Sequence, residues 1–317
     1  MATTISAFNN FRIDTINPHT MGDTAPVGTP VVTPDKVTWQ TTAGKFELFG
    51  SNFSVNYSTM SLTGTAHAVT YSEGGVVLAS AEGMNLDAYQ VQKISASAQT
   101  VDALIEVLIP GDNIFKLGSA NDVIDVGAGN DVVYGGGGRD LVMIDIGPLS
   151  PGRASYLIDR QSDGSVSITN SLDHIELHDV ERVRFSDGIV ALDIDGVAGQ
   201  AYRLYQAAFD RTPDITGLSF WVDNLDAGVQ LNIVAASFIA STEFNATYGS
   251  LSDAQFVDQL YRNVLDRSAD SSGLQFWVEQ LESGAMDRAR VLVGFSESEE
   301  NVDLVGPVIN DGIWLGL

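Results

Sequence analysis

The spacing of apolar residues changes character along the chain. From Val37 to Ala79 they fall two apart in short runs, at Phe46 and Leu48, at Phe53, Val55 and Tyr57, at Ala66 and Ala68, then Val76 to Ala79. Gly50, Gly64, Gly74 and Gly75 lie between them. Alternation with a period of two, interrupted by glycine, predicts strands of four to six residues joined by turns. Between Gly111 and Ile144 the period becomes nine, with apolar residues at Phe115, Ile124, Val133 and Val142. Leu104 to Ile109 leads into this block. Strand alternation resumes after it at Ser155 to Asp159, Ser165 to Thr169 and His174 to Leu192, where Asp187-Gly188 is a hairpin signal. From about Val197 the apolar period lengthens to between three and four, which predicts amphipathic helices. Residues 1 to 36 hold Pro18, Pro26, Pro30 and Pro34 among threonines and glycines, a composition that predicts an extended, weakly packed arm.

The helical region is duplicated. Leu204-Tyr205 recurs 56 residues on as Leu260-Tyr261, and Asp210-Arg211 as Asp266-Arg267. Asp214 recurs as Asp270, Gly217-Leu218 as Gly273-Leu274, Phe220-Trp221-Val222 as Phe276-Trp277-Val278, and Gly228 as Gly284. After Gly228 the register slips by one, so that Phe238 and Ser241 match Phe295 and Ser298. Tyr205, Phe209, Leu218, Trp221, Leu225, Val234 and Phe238 fall at helical spacings and are the expected core. Asp214 and Asp270 precede helices and are expected to cap them. The paired tryptophans could stack on sugars, but their apolar neighbours favour burial.

The period of nine carries chemistry as well as apolar residues. Asp122, Asp131 and Asp140 stand two places before Ile124, Val133 and Val142, with Asn113 in the equivalent place before Phe115. Each aspartate closes a glycine-containing turn, the fullest being Gly135-Gly136-Gly137-Gly138-Arg139-Asp140. Ordinary Asn-Asp turns would account for the acids, but not for a repeat that also keeps the apolar position in phase. Six residues of turn and three of strand make two nonapeptides one coil, so Asp122 is expected to lie over Asp140. The block resembles the RTX, or hemolysin-type, calcium-binding repeat.

That resemblance implies a parallel β-roll with Ca2+ as cofactor, held by carboxylates and turn carbonyls as a hard cation requires. Carried over by position, one ion would lie between Gly118, Ala120 and Asp122 on one turn and Gly135, Gly137 and Asp140 on the next. A second would use Asp131 with the carbonyls of Val126 and Ala128, facing Gly111 and Asn113, where Asn113 offers a neutral amide in place of an anion. Gly127 and Gly129 could feed a third site towards Asp145. Asp179 to Asp193 resembles the strand-turn-strand that trails such repeats. The duplicated helices resemble a domain of unknown function that follows RTX regions in secreted and surface-layer proteins of bacteria.

The bulk numbers fit this picture. The 317 residues suggest about two domains. With 41 acidic and 16 basic residues the net charge is −25, which repels nucleic acid and anionic lipid and strains the compact state until cations bind. No run of eighteen apolar residues exists to span a membrane, and cysteine is absent, as a chain that takes its cross-links from calcium has no need of disulfides. Extracellular calcium modules bind at about 0.1 to 1 mM, so the repeats would order outside the cell. Met1 to Ser6 has neither a basic start nor an apolar run, so a cleavable Sec-type signal is not expected. The RTX resemblance implies type I secretion, with Asp311 to Leu317 resembling the uncleaved C-terminal signal.

No catalytic arrangement emerges. None of His19, His67, His174 and His178 lies in H-E-x-x-H, and G-x-S-x-G is missing. Strand alternation puts His174, Glu176 and His178 on one face, which reads more simply as a solvated face than as a metal site. The expected architecture is multidomain β plus α. An arm over 1–36 precedes a β-rich domain over 37–197 that contains a roll at about 111–147, and an all-α domain of duplicated helical units covers 198–317. The expected function is that of a non-enzymatic, secreted calcium-binding protein of the bacterial surface or extracellular matrix. Its partners would be copies of itself, surface polysaccharide or surface-layer components. The alternatives are a polysaccharide-active enzyme and a glycan-binding module.

Overall fold

The computed structural model describes residues 3–7, 31–40, 45–56, 61–73, 76–87, 111–144 and 151–316. The chain divides into two compact units, Met1–Gly188 and Ile189–Leu317. Strands fill the first and helices dominate the second.

The first unit begins with β1 (Thr3–Ala7), β2 (Val31–Thr33), β3 (Lys36–Gln40), β4 (Lys45–Asn56), β5 (Ser61–Glu73) and β6 (Val76–Asp87). Strands β2 to β6 pair antiparallel in chain order over a small core of Val37, Leu48, Phe53, Leu62 and Ala66. Three of these strands are 12 or 13 residues long, where runs of four to six were expected. The difference lies at Gly50 and Gly64, which are inside β4 and β5 and not in turns. Register shifts at Phe49/Gly50 and Ser51/Ser54 show the bulges that absorb them, the other common reason for glycine within a strand. Among the described residues of the 1–36 segment, two stretches that lie wholly within it are strands. One is β2, and the other, β1, pairs antiparallel with β6 and parallel with β7 (Asn113–Lys116).

The nonapeptide block supplies β7, β8 (Val123–Asp125), β9 (Asn130–Tyr134) and β10 (Leu141–Met143). Each strand pairs in parallel with the strand two repeats on. Ile114 faces Val132 across β7 and β9, and Ile124 faces Val142 across β8 and β10. After the block come β11 (Leu157–Arg160), β12 (Val166–Thr169), β13 (His174–His178) and β14 (Arg182–Phe185). β13 adds in parallel to β9, and β14 in parallel to β10. Two parallel ladders result, β7-β9-β13 and β8-β10-β14. The first continues through β1 into the antiparallel strands, giving an eleven-stranded order β11-β12-β13-β9-β7-β1-β6-β5-β4-β3-β2. The expected lead-in at Leu104 to Ile109 and the expected ligand Asp145 lie outside the described residues.

The second unit contains α1 (Val197–Phe209), α2 (Ile215–Asp226), α3 (Leu231–Ile239), α4 (Thr242–Tyr248), α5 (Asp253–Leu265), α6 (Ser271–Glu282), α7 (Arg288–Ser296) and α8 (Glu299–Ile309). Tyr205, Phe209, Trp221 and Phe238 form one edge-packed ring cluster, and Tyr261, Trp277 and Phe295 form its copy. Asp214 and Asp270 cap α2 and α6 by accepting the amides of Gly217 and Gly273 at 2.8 Å each. The chain leaves α1 and α5 through left-handed residues at matching places, Asp210 and Asp266, both at φ 50°. Ile313–Gly316, within the expected secretion-signal-like tail, is a strand, β16, antiparallel to β15 (Gly188–Ala191).

Candidate metal centre

Residues two apart on a strand share a face, so an aspartate two places before an apolar residue must turn inward with it. Asp122, Asp131 and Asp140 are accordingly buried along with Phe115, Ile124, Val133 and Val142. The turns stack with the same offset of eighteen as the strands. The Gly137 amide donates to the Gly118 carbonyl at 3.0 Å, the Asp122 amide to Asp140 Oδ1 at 2.9 Å and the Leu141 amide to the Asp122 carbonyl at 2.9 Å. Asp122 also closes its own turn, its Oδ2 accepting the Gly118 amide at 3.0 Å. Gly136 and Gly138 have φ of +85° and +109°, and a Cβ on either would sit 2.3 Å from the carbonyl oxygen of Gly118 or Ala120. Glycine is needed there for both reasons. Gly118, Ala120, Asp122, Gly135, Gly137 and Asp140 are thus brought into two stacked turns.

The second expected set is assembled differently. Asn113 lies over Asp131, but its backbone amide and its Nδ2 both donate to Asp131 Oδ1, at 2.9 and 3.0 Å. Its Nδ2 also donates to the Gly111 carbonyl. Here the Asn113 side chain donates to two would-be ligand oxygens. Gly129 packs against Gly111, and its amide donates to Asp173 Oδ1 at 3.2 Å. Val126, Gly127 and Ala128 belong to the turn between β8 and β9. There the Val126 amide donates to the Met143 carbonyl and the Gly127 amide to Asp125 Oδ1.

These carboxylates sit in an environment that disfavours their charge. Burial pushes Asp131 up to about 7, with the nearby Asp112 and Asp173 adding to it. Burial likewise pushes Asp140 up to about 7, helped by the charges of Glu181 and Asp122, and it raises Asp122. One oxygen of each, Asp122 Oδ1, Asp131 Oδ2 and Asp140 Oδ2, is buried with no hydrogen-bond partner. A buried anionic oxygen without a partner is costly, and a divalent cation removes both the charge and the vacancy in bonding. The donor set consists of carboxylates and turn carbonyls with no sulfur or imidazole, which fits calcium and not zinc.

Some partners in the stack were not singled out from sequence. Asp112 Oδ1 accepts the Asn130 amide at 2.8 Å, and Asn121 Oδ1 accepts the Arg139 amide at 2.8 Å, each bridging eighteen residues. Asp112, Asn121 and Asn130 are themselves nine apart, so the signal was there one place before the aspartates. Glu181, whose Oε2 accepts the Asp140 amide at 2.8 Å, lies outside the repeat and no period points to it. Among the described residues no three His, Cys, Asp or Glu side chains gather as a metal cluster. His174 is exposed. His178 bonds Glu176 at 2.8 Å and stacks on Tyr134, so the HIELH strand behaves as an outward face.

Comparison with protein families matches this chain twice. The RTX calcium-binding nonapeptide repeat, in four copies, covers residues 110–142. A domain of unknown function, DUF4214, covers 200–234 and 235–305. The chain therefore carries RTX repeats followed by DUF4214, and Ca2+ is the ion that these repeats bind. Repeats of this kind are typical of secreted proteins, and neither match is to a catalytic family. No curated protein and no solved structure matches the chain. No helix among the described residues is long and apolar enough to cross a membrane.

Proposed function

We propose that this is a secreted, non-enzymatic protein of the bacterial surface or extracellular matrix, in which calcium orders a β-roll that then supports assembly or adhesion. The observation that carries the reading is the set of buried carboxylate oxygens on Asp122, Asp131 and Asp140 that lack partners. Asp122 and Asp140, with the carbonyls of Gly118, Ala120, Gly135 and Gly137, would hold the principal ion. Asp131, with Gly111, Val126 and Ala128, would hold a weaker one, because Asn113 already donates to Asp131. Bound calcium supplies the positive charge that lets successive coils of a polyanion stack. The ladder ends favour assembly. Among the described residues the eleven-stranded sheet ends in β2 and β11, and each presents an exposed apolar residue, Val31 or Leu157. Such edges accept further strands.

Light scattering of the purified chain across a calcium titration tests the reading. The expected outcome is particle growth at millimolar calcium, reversal by EDTA, and loss of the response in Asp140→Asn. An unchanged size across the titration would overturn the assembly role. Binding of glycans is a second reading, favoured by Phe220 and Phe276. These two are about half exposed at equivalent places in the duplicated helices, whereas Trp221 and Trp277 beside them pack into the ring clusters. Retention on immobilised bacterial polysaccharide that Phe220→Ala abolishes would favour it.

A further inference from the structure

The stack does not stop where the nonapeptides do. In β8 and β10 the pairing of Val123 with Leu141 sets Asp122 level with Asp140, and in β10 and β14 the pairing of Leu141 with Arg182 sets Asp140 level with Glu181. The hydrogen bonds repeat in the same sense. The Asp122 amide donates to an Asp140 carboxylate oxygen at 2.9 Å, and the Asp140 amide donates to a Glu181 carboxylate oxygen at 2.8 Å. The Leu141 amide donates to the Asp122 carbonyl at 2.9 Å, and the Arg182 amide to the Asp140 carbonyl at 3.0 Å. Glu181 thus occupies the position of the next repeat's aspartate, although its segment has no glycine motif and lies well past the last nonapeptide.

We propose that this last step holds a calcium ion of its own, between the turn that Asp140 closes and the segment Asp179 to Glu181, with Asp140, Glu181 and the Asp179 carbonyl as protein ligands. The proposal rests on the reading of the repeats as calcium-binding and adds a site beyond them. The Asp179 carbonyl oxygen and an Asp140 carboxylate oxygen both pack beside Gly135, close to one another. A Cβ on Gly135 would lie 1.9 Å from the Asp179 carbonyl oxygen and 2.6 Å from Asp140 Oδ2. Asp140 is 0% exposed, and that same Oδ2 is the oxygen without a hydrogen-bond partner, so it would bridge this ion and the principal one. Asp179 takes a left-handed conformation, φ 51°, at the bend where its carbonyl meets Gly135. Arg182 holds the segment by its main chain, Nη1 donating to the Glu181 carbonyl at 2.8 Å. Two carboxylates and a carbonyl are the chemistry of a hard divalent cation, with water completing the shell.

The test counts ions bound per full-length chain by equilibrium dialysis against millimolar calcium. Glu181→Gln keeps an oxygen for the Asp140 amide and removes the charge, so it is expected to bind one calcium fewer than wild type, with the remaining affinities within about twofold. An equal count overturns the proposal while leaving the repeats' own calcium in place. A wild-type chain that binds none overturns the reading of the repeats themselves. Should Glu181→Gln lose its strand signal in circular dichroism, Glu181→Asp decides. Recovery of the full count with a midpoint raised about tenfold supports the site, in the range that ligand-shell changes command. A wild-type midpoint, or failure of both variants to fold at any calcium concentration, overturns it, because a ligand to one terminal ion is dispensable for the rest of the stack.

Discussion

The repeat block and the helical unit are both rich in acids and use them in opposite ways. Between residues 111 and 144 five aspartates share the sequence with two basic residues, Lys116 and Arg139. Three of those aspartates are buried and keep an oxygen without a partner. In the helical unit several acids instead meet arginine or cap a helix. Arg203 bonds Glu297 at 2.6 Å, Arg211 bonds Glu243 at 2.8 Å, Arg267 bonds Glu300 at 2.6 Å and Arg288 bonds Asp253 at 2.7 Å. The Tyr205 hydroxyl, and then the Gly217 amide, holds Asp214 below the usual carboxylate range. Ser272 and the Gly273 amide do the same for Asp270. Internal partners let a unit fold on its own, whereas buried acids without them make folding conditional on a cation.

Removing calcium should separate the two units most sharply. Hydrogen exchange followed by mass spectrometry, at calcium about one hundred times its dissociation constant and then in EDTA, is expected to show protection across 111–144 falling about 100-fold. Protection across 197–309 should stay as it was. Equal loss in both units would break the comparison.

Proton dependence should separate them next, with opposite signs. Asp131 and Asp140 have folded values raised to about 7 from an ordinary 3.8. Their contribution to the metal-free stack is therefore fully present below about pH 4 and lost as the pH rises through about 7. In EDTA, exchange protection of the repeats should rise when the pH is lowered from 8 to 4.5. Asp214 and Asp270 are lowered, so their contribution is present above 3.8 and lost only as the pH falls below that. The part of the helical unit's protection that rests on these two caps should stay unchanged over the same range.

The smallest effect sharpens the comparison from the helical side. Asp214→Ala or Asp270→Ala removes one cap and should cost about 1 kcal/mol in thermal or urea unfolding. The cost should be equal with and without calcium, and nearly the same for the two variants because the duplicated units place them alike.

How much of this was legible in the sequence depended on whether a feature repeats. The aspartates and apolar residues nine apart gave the phase of the stack, and four repeats, the one around Asn113 included, are what the family match covers. The 56-residue offset and its later slip reappear as paired contacts. Arg211 to Glu243 and Arg267 to Glu300 are one bond made twice, with the slip between their ends. The place of Glu181 in the stack was not legible: Asp179 to Asp193 resembled a trailing strand-turn-strand, but no local pattern announces its register against β10. The long strands β4 and β5 were missed because glycine marks a bulge as readily as a turn.

The sequence by itself determined which residues turn inward in the repeats and which helices are copies, because both follow from a period that local backbone geometry enforces. Tertiary structure alone decided that Asn113 donates to Asp131, that β1 joins the repeat ladder to the antiparallel strands, and that Glu181 stands level with Asp140. The reason is physical. A side chain's face is fixed by its own few neighbours, whereas its partner across a ladder is fixed by where a distant segment returns.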